Sequence, residues 1–211
     1  MRHKLLFSLF SFLIVTLSAH SKQKDFVLNA RQTVTVACSN SEEQVVHTAL
    51  DMLTCDIRTV LSSTTQASES TGMIVVGTIG RSELLQQTGV DVSVLKGKQQ
   101  AFLLTVSPEG KLVVAGSDKH GTAYGILEIS RLLGVSPWEW WADVTPEKKD
   151  FFKLSRKFRS VQSPSVEYRG IFINDEDWGL MPWSNRTYEP SNVKGEIGPR
   201  TNERIFELLL R

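Results

Sequence analysis

The sequence predicts an α/β protein: a small sandwich with helices covering a mixed sheet, then the first strand, loop and helix of a (β/α)8 barrel. β-Branched runs alternate with amphipathic helical periods over residues 33–134. Two apolar runs flank Pro108-Glu109-Gly110, which is typical of a hairpin. A new apolar run at 171–173 is followed by a polar stretch at 179–201 and a helical period at 202–211. That order is how such a barrel begins.

The first strand and helix follow from local pattern. The run TVTVA at 33–37 is β-branched and predicts a strand. Ser39 and Glu42 have the spacing of a capping box and predict the start of a helix. A polar loop is expected at 62–72, with a second strand at 73–76. The predicted helix buries one apolar face, made by Val46, Ala49, Leu50, Leu53, Ile57, Val60 and Leu61.

The second half of the sandwich is predicted in the same way. Residues 99–106 and 111–115 form the two arms of the hairpin. Ser117-Asp118 is expected to cap the start of a second helix, and Gly134 is expected to end it. A further strand is expected around 151–158. The apolar face of the second helix comprises Tyr124, Leu127, Ile129, Leu132 and Leu133.

The N-terminus carries the pattern of a secretory signal. A basic start, Arg2-His3-Lys4, precedes an apolar stretch at 5–17 and the small-x-small sequence Ala19-His20-Ser21. The stretch is shorter than the ~20 residues that a membrane-spanning helix needs. We therefore expect export to the periplasm or the cell exterior, and no membrane association after signal removal.

These segments divide the chain into a signal peptide (1–21), an N-terminal α/β domain (22–145), a connector (146–164) and the start of a catalytic barrel (165–211). The last segment predicts an amphipathic helix without a stop signal. We therefore expect it to belong to a truncated domain. The apolar positions of that helix are Ile205, Phe206, Leu208 and Leu209.

Charge and cysteine content exclude several classes of protein. The 24 Lys and Arg nearly balance the 23 Asp and Glu, and no basic stripe indicates nucleic-acid binding. Cys38 and Cys55 are the two cysteines, and whether they pair is left open. No Cys/His cluster has zinc-ligand spacing, so neither a metal nor another cofactor is predicted.

Two glycine motifs resemble phosphate loops only superficially. The stretch 77–80 (GTIG) lacks the third glycine of a dinucleotide fingerprint and favours a tight turn. The stretch 116–122 lacks the lysine that follows the second glycine of a P-loop, so it favours a helix cap, and His120 within it stands alone.

Three tryptophans lie close together in Pro137-Trp138-Glu139-Trp140-Trp141. Exposed indoles are costly, so a role is expected for them. They could stack on sugar faces or pack at the join between two domains. The sequence favours the join.

An acidic cluster ends the apolar run at 171–173. Glycoside hydrolysis needs one carboxylic acid and one carboxylate, and strand ends hold such groups rigidly. Strand alternation puts Arg169 and Asp175 on one side and Asn174 on the other. Calcium binding and a solvated loop remain open for the acids. The cluster is Asn174, Asp175, Glu176 and Asp177, followed by Trp178.

Several long motifs, in order, resemble one family. They are GSDK at 116–119 with GTAYGI at 121–126, GVSPW at 134–138 running into WWADV at 140–144, YRGIFINDEDWG at 168–179 and ERIFEL at 203–208. The combination resembles glycoside hydrolase family 115, the xylan α-1,2-glucuronidases, over nearly the whole mature chain.

The resemblance implies a large exported enzyme whose first domain is like the second domain of β-hexosaminidases. It implies release of (4-O-methyl)glucuronic acid from glucuronoxylan with inversion, and a possible homodimer at full length. By position, Asp175 is implied as a catalytic carboxylate, paired with a Glu from a later strand beyond Arg211. Asn174, Asp177 and Trp178 are implied to bind substrate.

Two alternatives are kept. The wider pattern of Tyr-Gly-Ile and Tyr-Arg-Gly also resembles family 20 hexosaminidases, in which the arginine contacts sugar hydroxyls, and this suggests the same role for Arg169. The other alternative is a secreted, non-catalytic carbohydrate-binding module that ends at Arg211. As a fragment, the chain alone is expected to be inactive as a hydrolase.

Overall fold

The structure is a computed structural model that describes residues 24–173, 178–190 and 195–211. The predicted signal segment lies outside the described residues. The strands are β1 (Phe26–Asn29), β2 (Thr33–Ala37), β3 (Thr64–Ser68), β4 (Ile74–Thr78), β5 (Phe102–Val106), β6 (Leu112–Gly116), β7 (Phe151–Leu154) and β8 (Arg159–Gln162). The helices are α1 (Gln44–Leu61), α2 (Lys119–Leu133), α3 (Leu180–Trp183) and α4 (Pro199–Leu210), with 3-10 helices at Glu83–Thr88 and Ser93–Leu95 and a π-helical turn at Ser184–Tyr188.

The main sheet has six strands in the order β3-β2-β4-β6-β5-β8. Strands β3, β2, β4 and β6 are parallel, while β5 runs antiparallel to both β6 and β8. A separate two-stranded ribbon pairs β1 with β7. The sheet is therefore mixed, as the sequence predicts.

Both faces of the central strands are covered. Every residue of β4, β5 and β6 is buried. Helices α1 and α2 pack on one face, where Leu53, Ile57 and Ile126 join the principal core. On the other face, Leu85 and Leu95 from the 3-10 helices cover Leu103. Continuous burial explains why these strands are apolar runs rather than alternating ones.

The predicted limits of α2 are confirmed. Asp118 Oδ1 accepts a hydrogen bond from the backbone N–H of Gly121 at 2.9 Å, so Asp118 is the N-cap. Gly134 ends the helix in the left-handed conformation, at φ 97°. The hairpin around 108–110 is also confirmed by the antiparallel pairing of β5 with β6.

The predicted capping box of α1 is wrong. Glu43 occupies the N-cap position without a side-chain cap. The Glu42 carboxylate instead accepts hydrogen bonds from the backbone N–H and the hydroxyl of Thr78, at 2.8 and 2.7 Å. The carboxylate is buried, and a long-range partner on β4 satisfies it better than its own backbone would.

Residues 62–72 are not a loop throughout, because β3 forms within them and pairs with β2. The strand is polar and largely exposed, so no hydrophobic alternation marks it. The strand predicted around 151–158 forms over 151–154 as β7, and β8 follows at 159–162 within the predicted connector. β7 belongs to the ribbon and β8 to the main sheet. The predicted domain boundaries remain a prediction.

The predicted barrel unit is formed only in part. Residues 168–173 have no regular secondary structure, and Phe172 is 90% exposed. A strand needs a neighbour to pair with, and among the described strands none pairs with this segment. The stretch 179–201 is not simply a loop, because α3 and the π-helical turn lie in it. The predicted final helix is confirmed as α4.

In the part of the chain that the structure describes, no helix has the length and apolar character needed to cross a bilayer.

Candidate functional site

The five predicted site residues divide into two groups. Asn174, Asp175 and Asp177 lie outside the described residues. Trp178 is described and exposes 79% of its surface. Arg169 is exposed and lies beside α2 and beside Gln100, two residues before β5. The assignment of all five residues to catalysis and substrate binding stays a prediction.

Arg169 borders a cleft with a volume of about 730 Å³. The cleft lies between α2, β5, β8, the segment 163–171 and the last residues of α4. Its lining is mixed, with apolar side chains such as Phe102 and Leu209 beside polar ones. The polar side chains that line it include Gln100, Tyr124, Glu128, Arg131, Gln162 and Arg169.

One of the two acids that line this cleft, Glu128, forms an ion pair with Arg131. Glu128 accepts two hydrogen bonds from Arg131, both at 2.6 Å, and a third from Gln162 at 3.2 Å. The hydrogen bonds to Glu128 raise the pKa of Arg131 above its ordinary range.

The tryptophan cluster packs at a join between segments. Trp140 contacts Trp183 and Tyr188, with ring centroids 6.1 and 5.1 Å apart. Trp183 stacks on Tyr188 at 5.3 Å, and Trp141 lies 6.0 Å from Trp183. Two of the three indoles therefore serve the join, as the sequence favours, while Trp138 is 54% exposed.

Two cations from α4 complete this aromatic cluster. The Arg204 guanidinium lies 5.0 Å from the centre of the Trp140 ring, and that of Arg200 lies 4.8 Å from the Tyr188 ring. The indole N–H of Trp141 donates to the carbonyl of Arg204 at 3.1 Å. These contacts fix α4 against the chain that leaves α2.

The N-terminus of α4 is capped by a buried carboxylate, Glu189. It accepts hydrogen bonds from the backbone N–H groups of Arg200 and Thr201, at 3.0 and 2.8 Å, and from the Thr201 hydroxyl at 2.7 Å. Burial raises the pKa of Glu189, but the hydrogen bonds from Thr201 and Arg200 outweigh it, and the pKa is lowered overall. A negative charge here also favours the helix dipole.

This lowered pKa predicts a pH dependence of stability. Since Glu189 ionises more readily in the folded chain, its contribution is fully present above its ordinary pKa of 4.5 and is lost as the pH falls through the folded value. We expect the difference in thermal stability between the wild type and Glu189→Gln to be constant above that pH and to shrink below it. Thermal unfolding across pH 3–7 measures it, and a pH-independent difference would contradict the assignment.

The C-terminal end of α4 is held by a buried ion pair. Arg211 donates two hydrogen bonds to the carboxylate of Asp56 in α1, at 2.7 and 3.1 Å. The two side chains are 12% and 7% exposed. Asp56 lies on the buried face of α1, and Leu210 packs against the same core. α4 is thus attached to the N-terminal fold through Arg204 near its middle and Arg211 at its C-terminal end.

The two glycine motifs are structural. Gly80 has φ 78°, and the Thr78 carbonyl accepts from the backbone N–H groups of Arg81 and Ser82, which is a tight turn. The Thr78 hydroxyl also lies 2.8 Å from that of Thr122 in α2. The predicted turn and the predicted helix cap are both confirmed, and each motif joins a strand to a helix.

The cysteines are not paired. Cys38 is buried and Cys55 is exposed, and both thiols are free. Burial, with a smaller effect of the Glu42 charge, raises the pKa of the Cys38 thiol to about 12, so it stays protonated and unreactive. Within the described ranges, no group of three or more His, Cys, Asp or Glu side chains is placed to hold a metal ion.

Comparison with known proteins shows what the chain resembles in sequence and in fold. Residues 161–211 match the sequence model of Glycosyl hydrolase family 115. A solved structure, described as the family 115 4-O-methyl-α-glucuronidase BtGH115A with specificity for decorated arabinogalactans, is 74% identical with a TM-score of 0.87. The match covers 89% of this chain and 25% of that chain, so the chain spans about a quarter of that relative's length.

A second solved structure is far more distant. It is a family 20 exo-β-N-acetylglucosaminidase from Vibrio harveyi in complex with N-acetylglucosamine, 16% identical with a TM-score of 0.35, covering 52% of this chain and 14% of that one. At this identity and TM-score, the similarity supports no conclusion about fold or function. No curated protein matches the chain. The predicted resemblance therefore rests on the family 115 matches, which confirm it, and the chain belongs to glycoside hydrolase family 115.

Proposed function

We propose that the complete protein is an exported glycoside hydrolase that releases (4-O-methyl)glucuronic acid from a plant polysaccharide with inversion. One observation carries the proposal: 74% identity over 89% of the chain to a structure described as a 4-O-methyl-α-glucuronidase. At that identity and a TM-score of 0.87, the fold is shared. The enzyme is expected to work without a cofactor.

The identity of the polysaccharide is the more specific part of the proposal. The sequence resemblance implies glucuronoxylan, whereas the 74% identical relative is described as specific for decorated arabinogalactans. We propose decorated arabinogalactan as the first substrate, because that relative is so similar in sequence. Glucuronoxylan is the second candidate.

The proposed chemistry assigns a role to each predicted site residue. Asp175 supplies one of the two carboxylates of an inverting pair, which lie about 6.5–9.5 Å apart so that a water fits between carboxylate and sugar. Asn174 and Asp177 bind hydroxyl groups of the uronic acid. The Trp178 indole, largely exposed, offers an apolar face for a sugar ring. Arg169, which the sequence predicts as a substrate contact, donates in the structure to Gln100 and to the carbonyl of Val166.

Uronic acid release from the two polysaccharides tests the proposal. The complete protein is incubated with 4-O-methylglucuronic acid-decorated arabinogalactan and, separately, with glucuronoxylan, and the released acid is quantified by anion-exchange chromatography. We expect release from arabinogalactan to be faster. Faster release from glucuronoxylan would reverse the order of the substrates, and no release from either would overturn the proposed function.

Export is tested separately. The predicted signal at 1–21 requires that the mature protein begin near Lys22 outside the cytoplasm. N-terminal sequencing of the native protein from the periplasmic or extracellular fraction checks this, and a protein that keeps its first residues in the cytoplasm would contradict export.

A further inference from the structure

Arg169 directs its guanidinium at the N-terminal fold and at its own segment. One terminal nitrogen donates to the carbonyl of Val166 at 2.8 Å. The other donates to the side-chain oxygen of Gln100 at 2.6 Å and lies 3.5 Å from the Tyr124 hydroxyl. The guanidinium carbon is 5.8 Å from the centre of the Tyr124 ring. The group therefore bridges the segment 165–173 to α2 and to the start of β5.

Gln100 is placed to receive this contact. Its side-chain oxygen accepts from Arg169, and its amide nitrogen lies 3.4 Å from the carbonyl of Glu167. Both polar ends of the amide are thus used on the same segment. Among the described residues, no carboxylate forms an ion pair with Arg169, so neutral acceptors and an aromatic ring bind its charge.

The backbone of Gln100 is held in an unfavourable conformation. Its φ is +52°, in the left-handed region that a residue with a Cβ seldom adopts. Its N–H donates at 2.6 Å to Asp118, whose other carboxylate oxygen caps α2 through Gly121. The cap of α2 therefore fixes Gln100, and strain of this kind is retained where the surrounding structure requires one geometry.

We propose that Gln100 and Arg169 together form an anchor that positions the segment 165–173, and with it the residues that follow, for catalysis. The segment leads directly, in sequence, to the proposed catalytic residue Asp175. Arg169 is then a positioning residue that acts through the N-terminal fold, rather than a contact to the sugar. The expected effect of the anchor on the rate of uronic acid release rests on the proposed function. Its expected effect on the position of the segment 165–173 rests on the geometry alone.

The test compares variants of the complete protein. Gln100→Gly removes the amide and also relieves the left-handed strain, so a loss of activity is not explained by backbone destabilisation. Arg169→Ala removes the other partner. Gln66→Ala is the matched control, because Gln66 is an exposed glutamine in β3 at the opposite edge of the sheet. The kinetic readouts are kcat and KM for uronic acid release.

We expect Gln100→Gly and Arg169→Ala each to lower kcat about 10-fold with little change in KM, and the double variant to lose no more than either alone. Gln66→Ala should match the wild type. If Gln100→Gly is as active as the control, or if Arg169→Ala acts on KM and adds to Gln100→Gly, the anchor is wrong and Arg169 contacts the substrate.

Hydrogen exchange gives a readout that does not depend on activity. In the same variants, amide exchange in 165–173 should accelerate with Gln100→Gly and Arg169→Ala and stay unchanged with Gln66→Ala. Unchanged exchange in 165–173 would overturn the anchor even if the enzyme proves active. An inactive wild type with accelerated exchange in the variants would overturn the proposed function and leave the anchor supported.

Discussion

Replacing Asp175 by Ala should lower uronic acid release by the complete protein by about 10²- to 10⁴-fold, the usual contribution of a positioned acid or base. The reason is that an inverting mechanism needs both carboxylates, one as acid and one as base. Without one of the two carboxylates, either the leaving oxygen stays unprotonated or the attacking water is not activated. Initial rates on the preferred polysaccharide, measured over several pH values, give the loss.

The controls separate chemistry from folding. Asp175→Asn keeps the shape of the side chain and removes its charge, so it should lose activity to a similar extent. Glu147→Ala changes an exposed acid outside the predicted site and should leave the rate unchanged. The melting temperatures of all three variants should match the wild type. Normal turnover by a folded Asp175→Ala protein would remove Asp175 from the mechanism.

The Asp56–Arg211 pair should give the largest effect on stability. In Arg211→Met, the apolar part of the side chain is kept but the Asp56 carboxylate remains buried without its partner. Leaving a buried charge uncompensated costs about 3–5 kcal/mol. Equilibrium urea unfolding of the single variant measures this loss in the free energy of unfolding.

A double variant distinguishes the cost of an orphaned charge from lost packing. When Asp56→Leu is combined with Arg211→Met, two apolar side chains replace the pair, and such replacements are often neutral or stabilising. We therefore expect most of the stability lost in Arg211→Met to return. If the double variant is as unstable as the single one, packing rather than charge holds the end of α4.

Much of the N-terminal fold could be predicted because its signals are local. The 3.6-residue period marks α1 and α2, and Asp118 and Gly134 mark the limits of α2. The elements missed lack such signals. β3 is a polar edge strand, and β1 and β8 are four residues long. Pairing with distant strands, rather than local propensity, decides these elements.

The long-range polar contacts could not be predicted in the same way. Glu42 has the spacing of a capping box but bonds to Thr78, 36 residues away. Asp56 lies on the buried face of α1, and its partner Arg211 is 155 residues distant. Local pattern does not show which distant residue neutralises a buried charge.

The functional part of the prediction depends on motif resemblance more than on local physics. The run leading to Asp175 predicts carboxylates at a strand end, which several kinds of site share. The family resemblance selects glycoside hydrolysis among them, and the 74% identical structure supports that choice. The Gln100–Arg169 contact carries no sequence signal, because a glutamine two residues before a strand is not a recognisable pattern.

The stereochemistry of the first product tests the central claim most directly. The complete protein is mixed in an NMR tube with a 4-O-methyl-α-glucuronosyl oligosaccharide, and the anomeric proton signals are followed from the first minutes. An inverting α-glucuronidase gives the β-anomer of the free acid first, with the α-anomer appearing later by mutarotation. Initial α-anomer would contradict inversion, and the absence of free 4-O-methylglucuronic acid would contradict the proposed activity itself.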